Sequence, residues 1–358
     1  MKLPRNTHAI VFVIIGGFVL TMTALTARSS HLALRMSNNA KSRSTKPRRS
    51  GSKGHQQAQK VDHCNDPTPS NQAANKCTLN VDKAFVVNCS LPFSGGVSRA
   101  IDEHCPNEGC TTNPPDVTQN RIKNNLCATG NPVEINFESI DRLQRVVDQM
   151  VAAHKISYGP RSTPQKGGQA GPAGGPPQPN DRPKIGSGKL ATVDKNGHNV
   201  MLGEGDVVTL DAFVLDAKHD DTFPFGFGGE TVNCKNTLLE WNDIHVALGR
   251  TATMSECDSV TAEILPHFRP PVWERFDSNS CTMGHVTNPL PVKGIRVRIT
   301  GQLFFDGSHL PNSCAKPHPG GNPLRRAVWE IHPVYKIEVF DVPSSRFISL
   351  EDWAAMQH

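Results

Sequence analysis

Five stretches in the C-terminal half alternate apolar and polar residues with a period of two, and this pattern limits the fold more than anything else in the chain. The runs are GDVVTLDAFVLDAKH (205–219), DIHVALG (243–249), SVTAEILPH (259–267), KGIRVRITGQLFFDGSH (293–309) and AVWEIHPVYKIEVF (327–340). Clusters of Gly, Pro, Asn and Asp separate them. Side chains alternate faces along a strand, so each run has one face to bury. Trp329, Ile331, Tyr335, Ile337 and Val339 form such a face, and Glu330, His332, Lys336 and Glu338 lie opposite. Five to six strands, some bending at Gly301 or Pro333, predict a mainly β fold. The expected domain is a small OB-like β-barrel or sandwich over residues 189–342, followed by a short helix in 343–358 capped by Ser349.

The rest of the chain is poorer in core-forming residues. Its 29 Gly and 28 Pro concentrate in stretches such as 158–188, a Gly/Pro linker. Ahead of it, residues 62–157 are expected to form a separate Cys-rich α+β unit. KAFVVNC (83–89) and NPVEINF (131–137) read as strands. A helix from about Ile140, with Ser139 as its cap, carries the stripe Ile140, Leu143, Val147, Met150 and Val151.

Residues 9–27 are an unbroken apolar and small-residue run after a basic N-terminus, which predicts a signal anchor or a signal peptide over 1–27. A membrane partner is expected through this run. Residues 28–61 are basic and Ser-rich and predict a disordered stalk. All eleven Lys and Arg of residues 1–61 are unopposed by Asp or Glu, so the folding part of the chain is net acidic. An acidic fold is a poor phosphate-backbone binder, and a nucleic-acid partner is not expected.

Basic residues after the apolar run favour a cytoplasmic location by the positive-inside rule, whereas the cysteines favour export. Six cysteines lie between 60 and 130 and four in the C-terminal half, without paired C-x-x-C knuckles. Disulfides are expected, and with them a membrane-anchored or secreted protein on the extracytoplasmic face.

VRITGQLFFDGSH (297–309) and RRAVWEIHPVYKIEVF (325–340), with NRIKNNLCATG (120–130) and ETVNCKNTLLEWNDIHVALG (230–249), resemble a recurrent group of bacterial exported proteins without an assigned activity. The resemblance implies a two-part exported protein with an OB-like C-terminal barrel. It carries over no catalytic residue.

Two stretches carry candidate chemistry. Asp243-x-His245 and Glu330-x-His332 each put a carboxylate and an imidazole on one side of a strand. Glu263 with His267, and Asp306 with His309, add to them. His245, His267 and His332 from neighbouring strands form a candidate zinc set, with Glu330 or Glu263 as general base of a metal-dependent hydrolase. The plainer expectation leaves these pairs on the solvent-facing exterior of the barrel, with His332 outside the core and no cofactor. The other stretch, HDDTFPFGFGGETVNC (219–234), offers Phe223, Phe225 and Phe227 as a ligand-stacking loop. No H-E-x-x-H, G-x-S-x-G or G-x-G-x-x-G is present, so a binding module for an envelope glycan or a protein partner is expected ahead of an enzyme. A purely structural envelope protein is the third possibility.

Overall fold

The computed structural model describes residues 84–93, 105–157, 175–219, 230–235, 241–278, 286, 288–315 and 324–357. The apolar run at 9–27, the stalk and most of the 158–188 linker lie outside the described residues. Among the described residues no helix is long and apolar enough to cross a membrane.

The alternating runs form a closed five-stranded barrel. Its longest strands are β4 (Val207–His219) and β8 (Trp329–Asp341), with β5 (Ile244–Gly249), β6 (Val260–Ile264) and β7 (Arg296–Phe305) completing it. The order around the barrel is β4-β5-β6-β8-β7, and β7 closes back onto β4. All these pairings are antiparallel except β6 with β8, which run parallel through Thr261↔Glu330 and Ala262↔Ile331. Within the barrel, strand β4 serves two neighbours. Its first half pairs with β7 from Val207↔Gln302 to Phe213↔Arg296, and after an irregularity between Val214 and Asp216 its second half pairs with β5. A bulge at such a point increases bend and twist, which lets one strand turn the corner of a small barrel.

Ile244, Val246, Leu248, Val260, Ala262, Ile264, Ile299 and Ile331 are among the buried residues that fill the core. Register shifts flank Gly301 on β7, where the expected bend falls. A Cβ there would lie 2.4 Å from the Pro333 carbonyl oxygen and 2.6 Å from the Ile331 side chain, so the backbones of β7 and β8 approach too closely for any side chain.

Among the described residues, the strand and helix of 133–152 pack on the barrel. Strand β1 (Val133–Ile135) pairs in parallel with β4, and helix α2 (Phe137–Ala152) adds Phe137, Ile140, Leu143 and Val147 to the hydrophobic cluster of the barrel. A two-stranded ribbon, β2 (Leu190–Val193) with β3 (Asn199–Leu202), packs beside α2. The cap of α2 is Asn136 rather than Ser139. Asn136 accepts from the Ser139 amide while the Ser139 hydroxyl accepts from the Asn136 amide, and this reciprocal box starts the helix three residues earlier than the apolar stripe. Residues 84–89 form no strand. The Val86 amide and carbonyl instead bond the Asn107 side chain, so a side chain takes the place of a neighbouring strand. A short strand β9 (Arg346–Ser349) pairs with β8, and Ser349 caps the C-terminal helix Leu350–Ala355 as its sequence predicts.

Cys89–Cys127, Cys105–Cys234 and Cys257–Cys314 are paired. Cys105–Cys234 joins the two Cys-containing regions across 129 positions, so the pairing does not follow the even count within each region.

Gly301→Ala should destabilise the protein by about 1–3 kcal/mol, the usual cost of forcing a methyl group into a packed site. Urea unfolding followed by tryptophan fluorescence would measure it, and a change under about 0.5 kcal/mol would contradict the close approach of β7 and β8.

Candidate functional site

The barrel's register gathers the polar residues into one patch. His245 on β5 stands directly opposite Glu263 on β6, and Thr261, two residues before Glu263, stands opposite Glu330 on β8. With period-two alternation, Asp243, His245, Glu263, Glu330 and His332 therefore share the outer face of three adjacent strands. The expectation of a shared polar side holds. The expectation that this side is wet does not.

Asp243, Glu263, Glu330 and His332 are all buried, and His332 has no exposed surface at all. Farther along β8, Lys336 is exposed as predicted. The difference lies in what covers the strand. Arg325, between β7 and β8, pairs with Glu330; Lys123, at the end of helix α1 (Pro114–Lys123), pairs with Glu263 on the neighbouring strand; and Gln302 of β7 bonds the His332 carbonyl. Helix α1 is built from PPDVTQNRIK, whose few apolar residues give no stripe to read, and the sequence offered no warning of it.

Helix α1 is positioned by several bonds. Asn125 Nδ2 donates to Gln302 Oε1 at 2.7 Å, and Gln302 Nε2 donates to the carbonyls of Ile122 (2.9 Å) and His332 (3.1 Å). Beside it the segment 230–235 is clamped by Cys105–Cys234 and by the Cys110 amide donating to the Thr231 carbonyl at 2.7 Å. Gly109 is needed there, because it has φ +63° and a Cβ would lie 2.1 Å from the Thr231 oxygen.

These contacts bring Lys123 and Glu230, neither singled out by motif or spacing, over the strand face. Lys123 Nζ lies 2.7 Å from Glu230 Oε2 and 3.6 Å from Glu263 Oε2. Glu263 also meets His332 Nδ1 at 2.5 Å and His245 Nε2 at 3.6 Å. On the far side Arg325 pairs with Glu330 and, at 2.5 Å, with Asp306, which in turn holds His309 Nδ1 at 2.7 Å. Above this floor is a cleft of about 520 Å³ whose walls include Lys218, Glu230, His245, Thr261, His309 and Arg325.

The ionisation states are driven apart by position. Burial pushes the Glu263 carboxyl up, but the charges of Lys123, His245 and His332 together hold it well below the usual carboxylate range. Burial lowers His332, and the facing Glu263 more than reverses this, raising it to about 10. Burial raises Glu330 to about 7, helped by repulsion from Glu263 and opposed by Arg325. Burial likewise raises Asp243 to about 6. One carboxylate is thus firmly ionised beside Glu330, which titrates near neutrality, and Asp243, which titrates about a unit lower, a spread of the kind that acid–base chemistry uses.

The proposed three-imidazole set is not assembled. His245 and His332 both flank Glu263, but His267 stacks on Phe85 with ring centroids 4.3 Å apart. Strand β6 ends at Ile264, so the alternation that links Glu263 to His267 in the sequence stops before it arrives. The groups that do converge are Asp243, His245 and Glu263, and Glu263, Glu330 and His332. In each, one ligand atom per residue lies within 4.8 Å of the others. Phe223, Phe225 and Phe227 lie outside the described residues.

A carboxyl raised on folding stabilises the fold while it is protonated and loses that contribution as it ionises. Glu330 should therefore make metal-free protein less stable as pH climbs from about 4.5 to about 7. Glu330→Gln should flatten the fall in stability between pH 5 and pH 8, measured by urea unfolding in a chelating buffer. Equal slopes for the two proteins would refute the buried, protonated state.

No family model, curated protein or solved structure matches this chain, and its function has to be read from these residues themselves.

Proposed function

We propose that the chain is an extracytoplasmic, membrane-tethered binding protein that holds a cell-envelope glycan in the cleft over β5 and β6. The observation that carries this reading is where the cleft falls. Strands β4, β5, β6, β7 and β8, taken as strands one to five, have the order 1-2-3-5-4-1 with three and five parallel, and this order supports reading the barrel as OB-like. OB barrels take oligonucleotides or oligosaccharides on the outer face of strands two and three, flanked by the loops one–two and four–five. Here those strands are β5 and β6, and the flanking segments are residues 220–243 and 306–328. The cleft lies on that face and draws Glu230 from the first segment and His309 and Arg325 from the second.

The charge selects between the two ligand classes. Glu230, Glu263 and Glu330 line the cleft and oppose a phosphate backbone, whereas carboxylates readily accept hydrogen bonds from sugar hydroxyls. Phe223, Phe225 and Phe227, in the first flanking segment, supply faces on which sugar rings stack. The disulfides and the 9–27 apolar run support an oxidising location outside the cytoplasm.

A second reading, a hydrolase, is favoured by the opposed ionisation of Glu263 and Glu330 in the same cleft. In that reading Glu263 is the base and Glu330 the proton donor.

The test is calorimetric titration of the detergent-solubilised full chain with soluble muropeptides and with N-acetylglucosamine oligomers, in chelating buffer. Binding should weaken by about tenfold or more in Thr261→Trp, which fills the cleft, and in the Phe225→Ala/Phe227→Ala double variant. Single-stranded DNA should not bind. Absence of glycan binding, or binding indifferent to Thr261→Trp, would overturn the reading; turnover of the glycan would move the hydrolase ahead.

A further inference from the structure

Buried carboxylates are normally satisfied, because an ionised group taken out of water needs a partner. On the face of β5, β6 and β8 most are. Glu330 and Asp306 are ion-paired with Arg325, and Glu263 with His332 and Lys123, although Glu263 and Glu330 each keep one oxygen, Oε2, without a hydrogen bond. Asp243 differs. It is 1% exposed, and neither carboxylate oxygen has a hydrogen-bond partner among the described residues. It is held one residue before β5 with its oxygens near His245 and Glu263, in the group whose ligand atoms lie within 4.8 Å of one another.

We propose that Asp243, His245 and Glu263 bind one divalent transition-metal ion, with zinc as the ion that fits an N/O donor set of two carboxylates and one imidazole. This inference rests on reading the face as the working site, but not on the identity of its organic ligand. Three protein ligands match the count of catalytic zinc sites, which leave a further position for water or substrate, rather than that of closed structural ones. His245 and Glu263 line the cleft, so the remaining position opens towards it. The His245 side chain is 29% exposed and provides the way in.

The neighbouring group of Glu263, Glu330 and His332 is not the site. Glu330 is engaged by Arg325 and His332 is paired with Glu263. Those residues orient the metal-binding carboxylate instead, as outer hydrogen-bond partners of metal ligands do. The group Cys257, Asp258 and Cys314 also drops out, because its two sulfurs are joined to each other in a disulfide.

The experiment is titration of chelator-stripped full chain with Zn²⁺ against a chromophoric competitor under non-reducing conditions, with Co²⁺ as a spectroscopic replacement. About one equivalent should bind, with a visible Co²⁺ band whose intensity reports fewer than six ligands. Asp243→Asn, which keeps the shape, and His245→Ala, at a partly open position, should each weaken binding by about a hundredfold or more, about 2.7 kcal/mol. His267→Ala should leave it unchanged. Circular dichroism checks that each variant is folded. No binding by folded wild type, or binding that survives Asp243→Asn, would overturn the assignment. Glycan titration in chelating buffer is a separate readout, so failure of the metal site and failure of the glycan site are told apart.

Discussion

Glu263 is the point on which the candidate site depends. It sits on a barrel strand, out of water, and three cationic or ionisable nitrogens reach it from different parts of the chain. Lys123 comes from α1, His245 from β5 and His332 from β8. Any one of them alone would not offset the desolvation of a buried carboxylate, because the Coulomb gain of a single pair is comparable with what burial costs. Together they hold Glu263 ionised, and its charge adds to the burial that raises Glu330 and Asp243 beside it. Its charge therefore adds to burial in setting which neighbours hold their protons, and marks where a cation would be welcome.

The cover over this face is held by covalent and close backbone contacts rather than by a second hydrophobic core. Cys105–Cys234 and the Gly109–Thr231 approach fix the segment that carries Glu230. Gln302 ties the end of α1 to β7 and to the His332 carbonyl. Beneath, the apolar faces of the same strands fill the barrel, so one set of strands supplies a dry core inwards and a buried ionic layer outwards. Such a layer adds little net stability compared with apolar packing of the same volume.

The barrel itself was legible in the sequence, because period-two alternation survives wherever one face of a strand is buried. The pairing of Asp243 with His245 and of Glu330 with His332 was legible for the same reason. The burial of those residues was not. Their cover comes from PPDVTQNRIK and from Arg325, polar stretches distant in the chain that carry no periodic signal. His267 was misplaced because alternation says nothing about where a strand ends. That α2 packs on the barrel was not legible, because its stripe identifies a buried face without saying against which element it packs.

The central claim is that this ionic face is kept for function at the expense of stability, and Asp243 is where the two are most clearly opposed. Urea unfolding of metal-free wild type and Asp243→Asn at pH 8, above the value of about 6 to which burial raises the carboxyl, tests it directly. The account predicts that the variant is the more stable protein at pH 8, with the difference shrinking at pH 5 where the carboxyl is already protonated. A variant clearly less stable than wild type at pH 8 would make Asp243 a structural residue and contradict the account.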